Sequence, residues 1–379
     1  MDSQDGVTLR NSTGISNTLE IKSGAVLGNN VKIIVSAAGI AKTAIWEKKI
    51  NNTIIVRNEA QLKLMSNYPT ATFELYDDLR INNWTPINFN GNLDGKYQKI
   101  IISYNGTPTT TNSIGEKSYG LFNKLNGNIS NLYIEWNQLV ANTNGNLYVG
   151  GLAGQILGGS IKEVFISGTI QVNKKTGTDS SYIGGLVGLC SGTVTIAECT
   201  SAIKITSYGE WSMCGGIVGA ARASSDCIIT KYIFSGSIDA IAGEAPGPAW
   251  DSCAGGIVGE LGDSSEKGSI TITKCLSKSP RINGEDQWVY CAGILGWGRN
   301  ETATISDCGV LKDTITGKIT IPMGWLVGSG LYIENIYCTQ NGSASITTSG
   351  VCKVYDNIED MPKYQDEYVA LITPLPAEI

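Results

Sequence analysis

Gly215-Gly216-Ile217-Val218-Gly219 returns with small changes along the chain. Gly150-Gly151-Leu152-Ala153-Gly154, Gly184-Gly185-Leu186-Val187-Gly188, Gly255-Gly256-Ile257-Val258-Gly259 and Ala292-Gly293-Ile294-Leu295-Gly296 are copies. Gly120-Leu121-Phe122 precedes them and Gly324-Trp325-Leu326-Val327-Gly328 follows, so the repeat occupies about residues 118 to 350. Its closing glycines stand 31 to 40 residues apart. Strands of fixed length joined by loops of free length give such a variable period. Units of this kind stack into one continuous core.

A second element shapes each repeat. Ile129-Ser130-Asn131-Leu132, Ile161-Lys162-Glu163-Val164, Ile196-Ala197-Glu198-Cys199, Ile229-Thr230-Lys231-Tyr232, Ile272-Thr273-Lys274-Cys275 and Ile305-Ser306-Asp307-Cys308 share one spacing. Strict alternation would send the fourth residue outward, so the two residues before it turn a corner between strands. A third piece follows, such as Gly168-Thr169-Ile170-Gln171-Val172. Three short strands per coil make an all-β parallel β-helix, each coil rising about 4.8 Å on the last. Stacking would set Glu198 beside Lys231 and Lys274 beside Asp307, as opposite charges.

Composition agrees with strands and tight turns. The chain has 379 residues, 46 of them glycine, and 16% charged residues. A net charge of −6 supplies no basic footprint, so neither nucleic acid nor an anionic membrane is an expected partner. No apolar run is long enough to span a bilayer, and Met1-Asp2-Ser3-Gln4-Asp5 does not read as an export signal. The chain contains no histidine, which excludes Ser-His-Asp and Cys-His nucleophiles and every His-containing metal site. No metal or cofactor is expected.

Residues 1–55 carry short β-type runs without the glycine unit and read as a small β-rich N-terminal module, or as an irregular start of the same solenoid. Residues 56–352 are the β-helix, and Glu59-Ala60-Gln61-Leu62-Lys63-Leu64-Met65 is a candidate helical cap at its start. Residues 353–379 are a C-terminal cap or tail. Asp94, within Asn92-Leu93-Asp94-Gly95, reads as turn chemistry before catalysis.

The Gly-Leu-apolar-Gly cores at Gly151 to Gly154, Gly185 to Gly188, Gly216 to Gly219, Gly256 to Gly259 and Gly293 to Gly296 resemble the GLUG repeats of bacterial surface proteins. The lead-in Trp84-Thr85-Pro86-Ile87 and Phe89-Asn90-Gly91-Asn92-Leu93-Asp94-Gly95 resembles the start of the same region, so coverage is about residues 57 to 350. The resemblance implies a pectin-lyase-like, right-handed β-helix on a secreted or surface-attached, adhesin-like protein. It carries no catalytic motif.

All ten cysteines, from Cys190 to Cys352, fall in the repeats. Cys214, Cys253 and Cys291 lie close before the glycine pair, while Cys199, Cys275 and Cys308 share the corner position; stacked free thiols are expected, with one or two bridges as the alternative. Trp211, Trp250 and Trp288 each precede one of the first three by three residues. Coils in register would stack these indoles on one face, with Glu210, Asp251 and Asp286 nearby. Flat apolar faces pack on sugar rings and carboxylates accept hydroxyl hydrogen bonds, so these six residues form a candidate glycan platform; packing of the indoles beneath the long loops is the alternative.

The expectation is therefore a non-catalytic, extracellular or cell-surface adhesion protein whose partner is a glycan or a protein on a host or neighbouring cell. A polysaccharide lyase or glycoside hydrolase working through carboxylates is the alternative, and a structural spacer the second.

Overall fold

The computed structural model describes residues 33–36, 45–48, 53–103, 117–142, 145–173, 179–209, 211–222, 226–241, 251–262, 268–285, 288–299, 301–310, 314–316, 319–321, 325–327, 330–339 and 352–355. The expected C-terminal cap lies almost wholly outside them. The fold is all-β, a parallel solenoid. Ile33–Ser36, Ile45–Lys48 and Thr53–Val56 form an antiparallel meander, and the last of these pairs parallel with Thr72–Leu75, which begins the solenoid ladder.

The helix Glu59–Leu64 is capped by Asn58, whose side chain accepts a hydrogen bond from the Gln61 N–H at 2.9 Å. Its apolar side is continued by Met65, and both Leu62 and Met65 are fully buried in the main core. Arg57 crosses the Tyr76 ring at 3.2 Å from its centroid.

Coil follows coil in register. Val187 pairs with Val218, Val218 with Val258, and Val258 with Leu295. Ile217 N–H donates to Ile257 O at 3.0 Å, so the glycine unit recurs as vertical columns. The unit itself proves to be a bend between two short strands. Ser212–Gly215 belongs to a seven-stranded sheet of its own, and Val218–Ala221 belongs to the large sheet.

Only glycine fits this bend. A Cβ on Gly216 would lie 2.1 Å from Gly256 O and 2.5 Å from Phe234 Cγ. Gly185 and Gly256 would likewise strike Ser201 Oγ and Ser277 Oγ, each at 2.3 Å. Register explains the recurrence, because Ile166, Ser201, Phe234, Ser277 and Val310 occupy one column facing the glycines. Large and small side chains alternate along it, so successive coils interdigitate there.

The polar corner is equally regular. Asn131, Glu163, Glu198, Lys231, Lys274 and Asp307 have φ of 53 to 55°. This left-handed turn lets Leu132, Val164, Cys199, Tyr232, Cys275 and Cys308 enter the core after two residues that face outward. Lys231 Nζ lies 3.3 Å from Glu198, as the stacking predicted, and Lys162 Nζ joins the same carboxylate at 3.3 Å. Burial pushes the Glu198 carboxyl up, but the two ammonium groups outweigh it and its pKa is lowered. Asp94 is a turn residue, accepting from Lys96 N–H and from Asn131 Nδ2, both at 2.9 Å.

Candidate functional site

The glycine bend sets two outward-facing columns against each other. Register runs one through Tyr148, Tyr182, Met213, Cys253 and Tyr290, and the other through Gln155, Leu189, Ala220, Glu260 and Trp297. Between them lies a second apolar cluster, outside the main core, in which Tyr148, Tyr182, Met213, Ala220 and Cys253 are buried. Leu189, Trp211, Tyr290 and Trp297 pack against it, half-buried.

Side-chain size decides where this cluster opens. Tyr148 and Tyr182 stack with centroids 5.4 Å apart and close one end. Their column then shrinks to Met213 and to Cys253 before widening again at Tyr290. The gap is a cavity of about 20 Å³ lined by Trp211, Met213, Ser252, Cys253, Glu260, Tyr290 and Trp297. That is room for one water-sized group. Trp211 enters the wall with φ of 53°, a left-handed backbone that a bulky side chain rarely adopts and that lies outside the corner series. Packing of its indole against the cluster holds it there.

A buried ion pair supports the pocket. Arg222 Nε and one terminal nitrogen donate to Glu260 Oε2 at 2.9 and 2.6 Å, and the two side chains are 14% and 2% exposed. The guanidinium also lies over the Tyr182 ring, 4.7 Å from its centroid. Ser252 Oγ accepts Ser212 N–H at 3.3 Å, which leaves its own O–H as a donor. Burial pushes the Cys253 thiol well up, and the Glu260 charge adds to the shift. The thiol therefore stays protonated at neutral pH and is no nucleophile.

Eight thiols, Cys253 among them, have described side chains. All eight are buried and free, and burial pushes Cys199 and Cys291 up to about 12. Their column is interrupted, because Tyr232 stands between Cys199 and Cys275. Cys214 and Cys291 are separated by Ala254, while Cys253 sits one residue out of phase, in the outward column. Among the described residues no group of three or more His, Cys, Asp or Glu is placed to hold a metal ion, and no helix is long and apolar enough to cross a membrane.

Of the six platform residues, Trp211 alone has a described side chain, and it forms one wall of the pocket. Trp250, Glu210 and Asp286 lie outside the described residues. Asp251 pairs with Trp288, and Trp211 stands two residues before Met213 as Asp251 does before Cys253. Trp211, Asp251 and Trp288 therefore share a level, and an aspartate occupies the middle rung expected for an indole. Met213, Cys253, Glu260, Tyr290, Trp297 and Arg222 were missed. Aligning the repeats on the glycine pair, instead of on cysteine, would have placed the first four lining residues in their columns.

A second aromatic series runs along the outside. Tyr133 and Phe165 stack at 4.8 Å and 17°, with Tyr97 tilted beside Tyr133 at 6.3 Å. Tyr133 and Phe165 cover each other's faces, which makes that pair a poor seat for a sugar ring. The Tyr97 hydroxyl donates to Glu163, and that hydrogen bond, followed by burial, raises its pKa to about 12.

No protein-family model matches the chain, and no curated protein matches it. The GLUG and adhesin resemblance thus gains no support there. Among solved structures, a candidate immunoglobulin A1 protease from Bacteroides ovatus aligns over 75% of this chain and 86% of its own, with 16% identity and a TM-score of 0.53. A second, described as an IgA1 protease, covers 77% of this chain at 17% identity, with a TM-score of 0.44. This chain spans only 22% of that protein's length. The expectation that the chain is not an enzyme is withdrawn, because the first of these structures is described as a candidate protease. At such identities the likeness itself establishes the β-solenoid and nothing finer.

Proposed function

We propose that the chain is a glycan-recognising β-solenoid of a secreted or surface-attached protein, with the pocket over Cys253 and Glu260 as its contact point. The carrying observation is the gap over Cys253, which stands between the larger Met213 and Tyr290. Trp211 from one coil, and Tyr290 and Trp297 from the second coil after it, frame a cavity whose lining also includes Ser252 and Glu260, the latter paired with Arg222. Aromatic walls with a few fixed polar groups suit a sugar substituent.

Glycan-array binding of the wild-type chain and of Trp211→Ala tests this. Binding that falls at least tenfold in the variant, with an unchanged far-UV spectrum, supports the reading. No glycan binding by the wild type refutes it.

The neighbours' descriptions favour a second reading, in which the chain acts on an immunoglobulin, itself or as part of a larger enzyme. With no histidine in the sequence, peptide-bond chemistry would have to run on carboxylates, hydroxyls, Lys or Tyr. Incubation with immunoglobulin A1 followed by electrophoresis decides it; intact heavy chain after prolonged incubation removes this reading for the isolated chain.

A further inference from the structure

We infer that Cys275 and Cys308 are the disulfide site of the chain, closing into a bridge between neighbouring coils when the protein folds in oxidising surroundings. Register singles this pair out. Thr273 pairs with Ser306 and Leu276 with Gly309, and Gly309 N–H donates to Cys275 O at 2.9 Å, so the two cysteines hold the same place on successive coils. Rungs of a parallel ladder lie about 4.8 Å apart, within the range of Cα separations that a disulfide accepts. No other two of the ten cysteines stand in this relation. Tyr232 parts Cys199 from Cys275, Ile336 parts Cys308 from Cys352, and Ala254 parts Cys214 from Cys291. Cys190, Cys227, Cys253 and Cys338 have residues other than cysteine as their register partners.

The sulfurs are turned toward the bridge. Both thiols are fully buried, and Cys308 Sγ donates to Ile272 O, 3.5 Å away in the coil that holds Cys275. Cys275 Sγ donates in the same fashion one coil further back, to Ile229 O at 3.6 Å. The Cys308 sulfur therefore leans toward Cys275, and a change of rotamer at Cys275 brings the two together. The two thiols already share a hydrogen bond. Cys190 and Cys227 share one as well, but they are not register partners, so no ladder sets their spacing.

Burial shuts oxidants out of the finished coil, so the bridge is set while the coils dock and the thiols still titrate near about pH 8.5. One thiolate attacks glutathione disulfide and releases a glutathione thiol, and the second displaces the other glutathione from the mixed disulfide. The cysteines lose two electrons and two protons, and glutathione disulfide is reduced to two thiols. The segment so clipped carries Tyr290 and Trp297, two walls of the pocket.

The full chain, unfolded and reduced, is refolded in a glutathione redox buffer and, in parallel, with a reducing dithiol. Free thiols are trapped by alkylation in denaturant and counted by mass spectrometry, and fragmentation of non-reduced peptides locates any bridge. The expected result is a Cys275–Cys308 bridge in the oxidised sample alone, with a guanidinium midpoint about 0.5 M or more above that of the reduced chain. Cys308→Ala should remove both the bridge and the rise, whereas Cys199→Ala, in the same column but beyond Tyr232, should leave both in place. Ten alkylated thiols after oxidative refolding overturn the inference, and so does a bridge elsewhere with Cys275 and Cys308 still alkylated. A Cys275–Cys308 bridge that leaves the midpoint unchanged or lowers it marks a link the fold does not accommodate and overturns it too. Oxidised and reduced samples of the wild-type chain give this answer even where a variant fails to fold.

Discussion

Replacing Arg222 with methionine tests whether the ion pair holds the outer cluster together. The substitution keeps most of the aliphatic volume but removes the guanidinium from a Glu260 carboxylate that is 2% exposed. Removing one partner of a buried pair costs about 3–5 kcal/mol, because a charge stays behind in a poorly solvated place. Loss of the contact over Tyr182, 4.7 Å from the ring centroid, adds about 0.5–2 kcal/mol. The guanidinium is 14% exposed, so water relieves part of this, and about 3 kcal/mol is the expected net loss. The double variant Arg222→Met/Glu260→Met leaves no charge and should recover to within about 1–2 kcal/mol of wild type. Urea unfolding of wild type, both single variants and the double variant, followed by circular dichroism and tryptophan fluorescence, gives the coupling energy. The reasoning fails if that coupling is below about 0.5 kcal/mol.

Three further outcomes are expected. Gly216→Ala places a methyl 2.1 Å from Gly256 O and 2.5 Å from Phe234 Cγ, so urea unfolding should show a loss of about 3 kcal/mol or more. Trimming the ring in Gly216→Ala/Phe234→Leu should restore only part of it, because the backbone contact remains. Stability should fall in alkali: Cys199, Cys214, Cys253, Cys275 and Cys291 are all raised in the fold, chiefly by burial. Above about pH 8.5 the unfolded chain loses thiol protons that the fold keeps, so stability is full below that pH and drops by roughly 1 kcal/mol per thiol by pH 9.5. Denaturant midpoints across pH check this, and Cys199→Ala should flatten the slope. Lys231→Ala, at an exposed corner pair 3.3 Å long, should cost less than about 1 kcal/mol in urea unfolding, with the difference vanishing in molar salt.

The glycine unit and the corner were readable because each is a backbone necessity. A bend whose Cβ would strike the next coil must be glycine at Gly185, Gly216 and Gly256 alike, so the requirement prints itself into every repeat. Glu198 and Lys231 were placed correctly for the same reason. The pocket was not readable, since it arises from a difference between repeats. Cys253 matters because its column mates are Met213 and Tyr290, and that comparison needs the register of the coils. Aligning on cysteine shifted that coil by one residue and gave three equivalent thiols where the fold has Cys214, Ala254 and Cys291.

The six left-handed corners have an implication for building with this scaffold. Holding a side chain other than glycine or asparagine in that conformation costs roughly 1–2 kcal/mol, and five of the six positions carry Glu, Lys or Asp. Asn131 shows that the geometry accepts asparagine. Since each corner touches chiefly the rungs above and below, asparagine introduced at Glu163, Lys274 or Asp307 would tighten the stack rung by rung. A designer could thus tune the rigidity of a long rod at its outer edge while leaving its interior untouched.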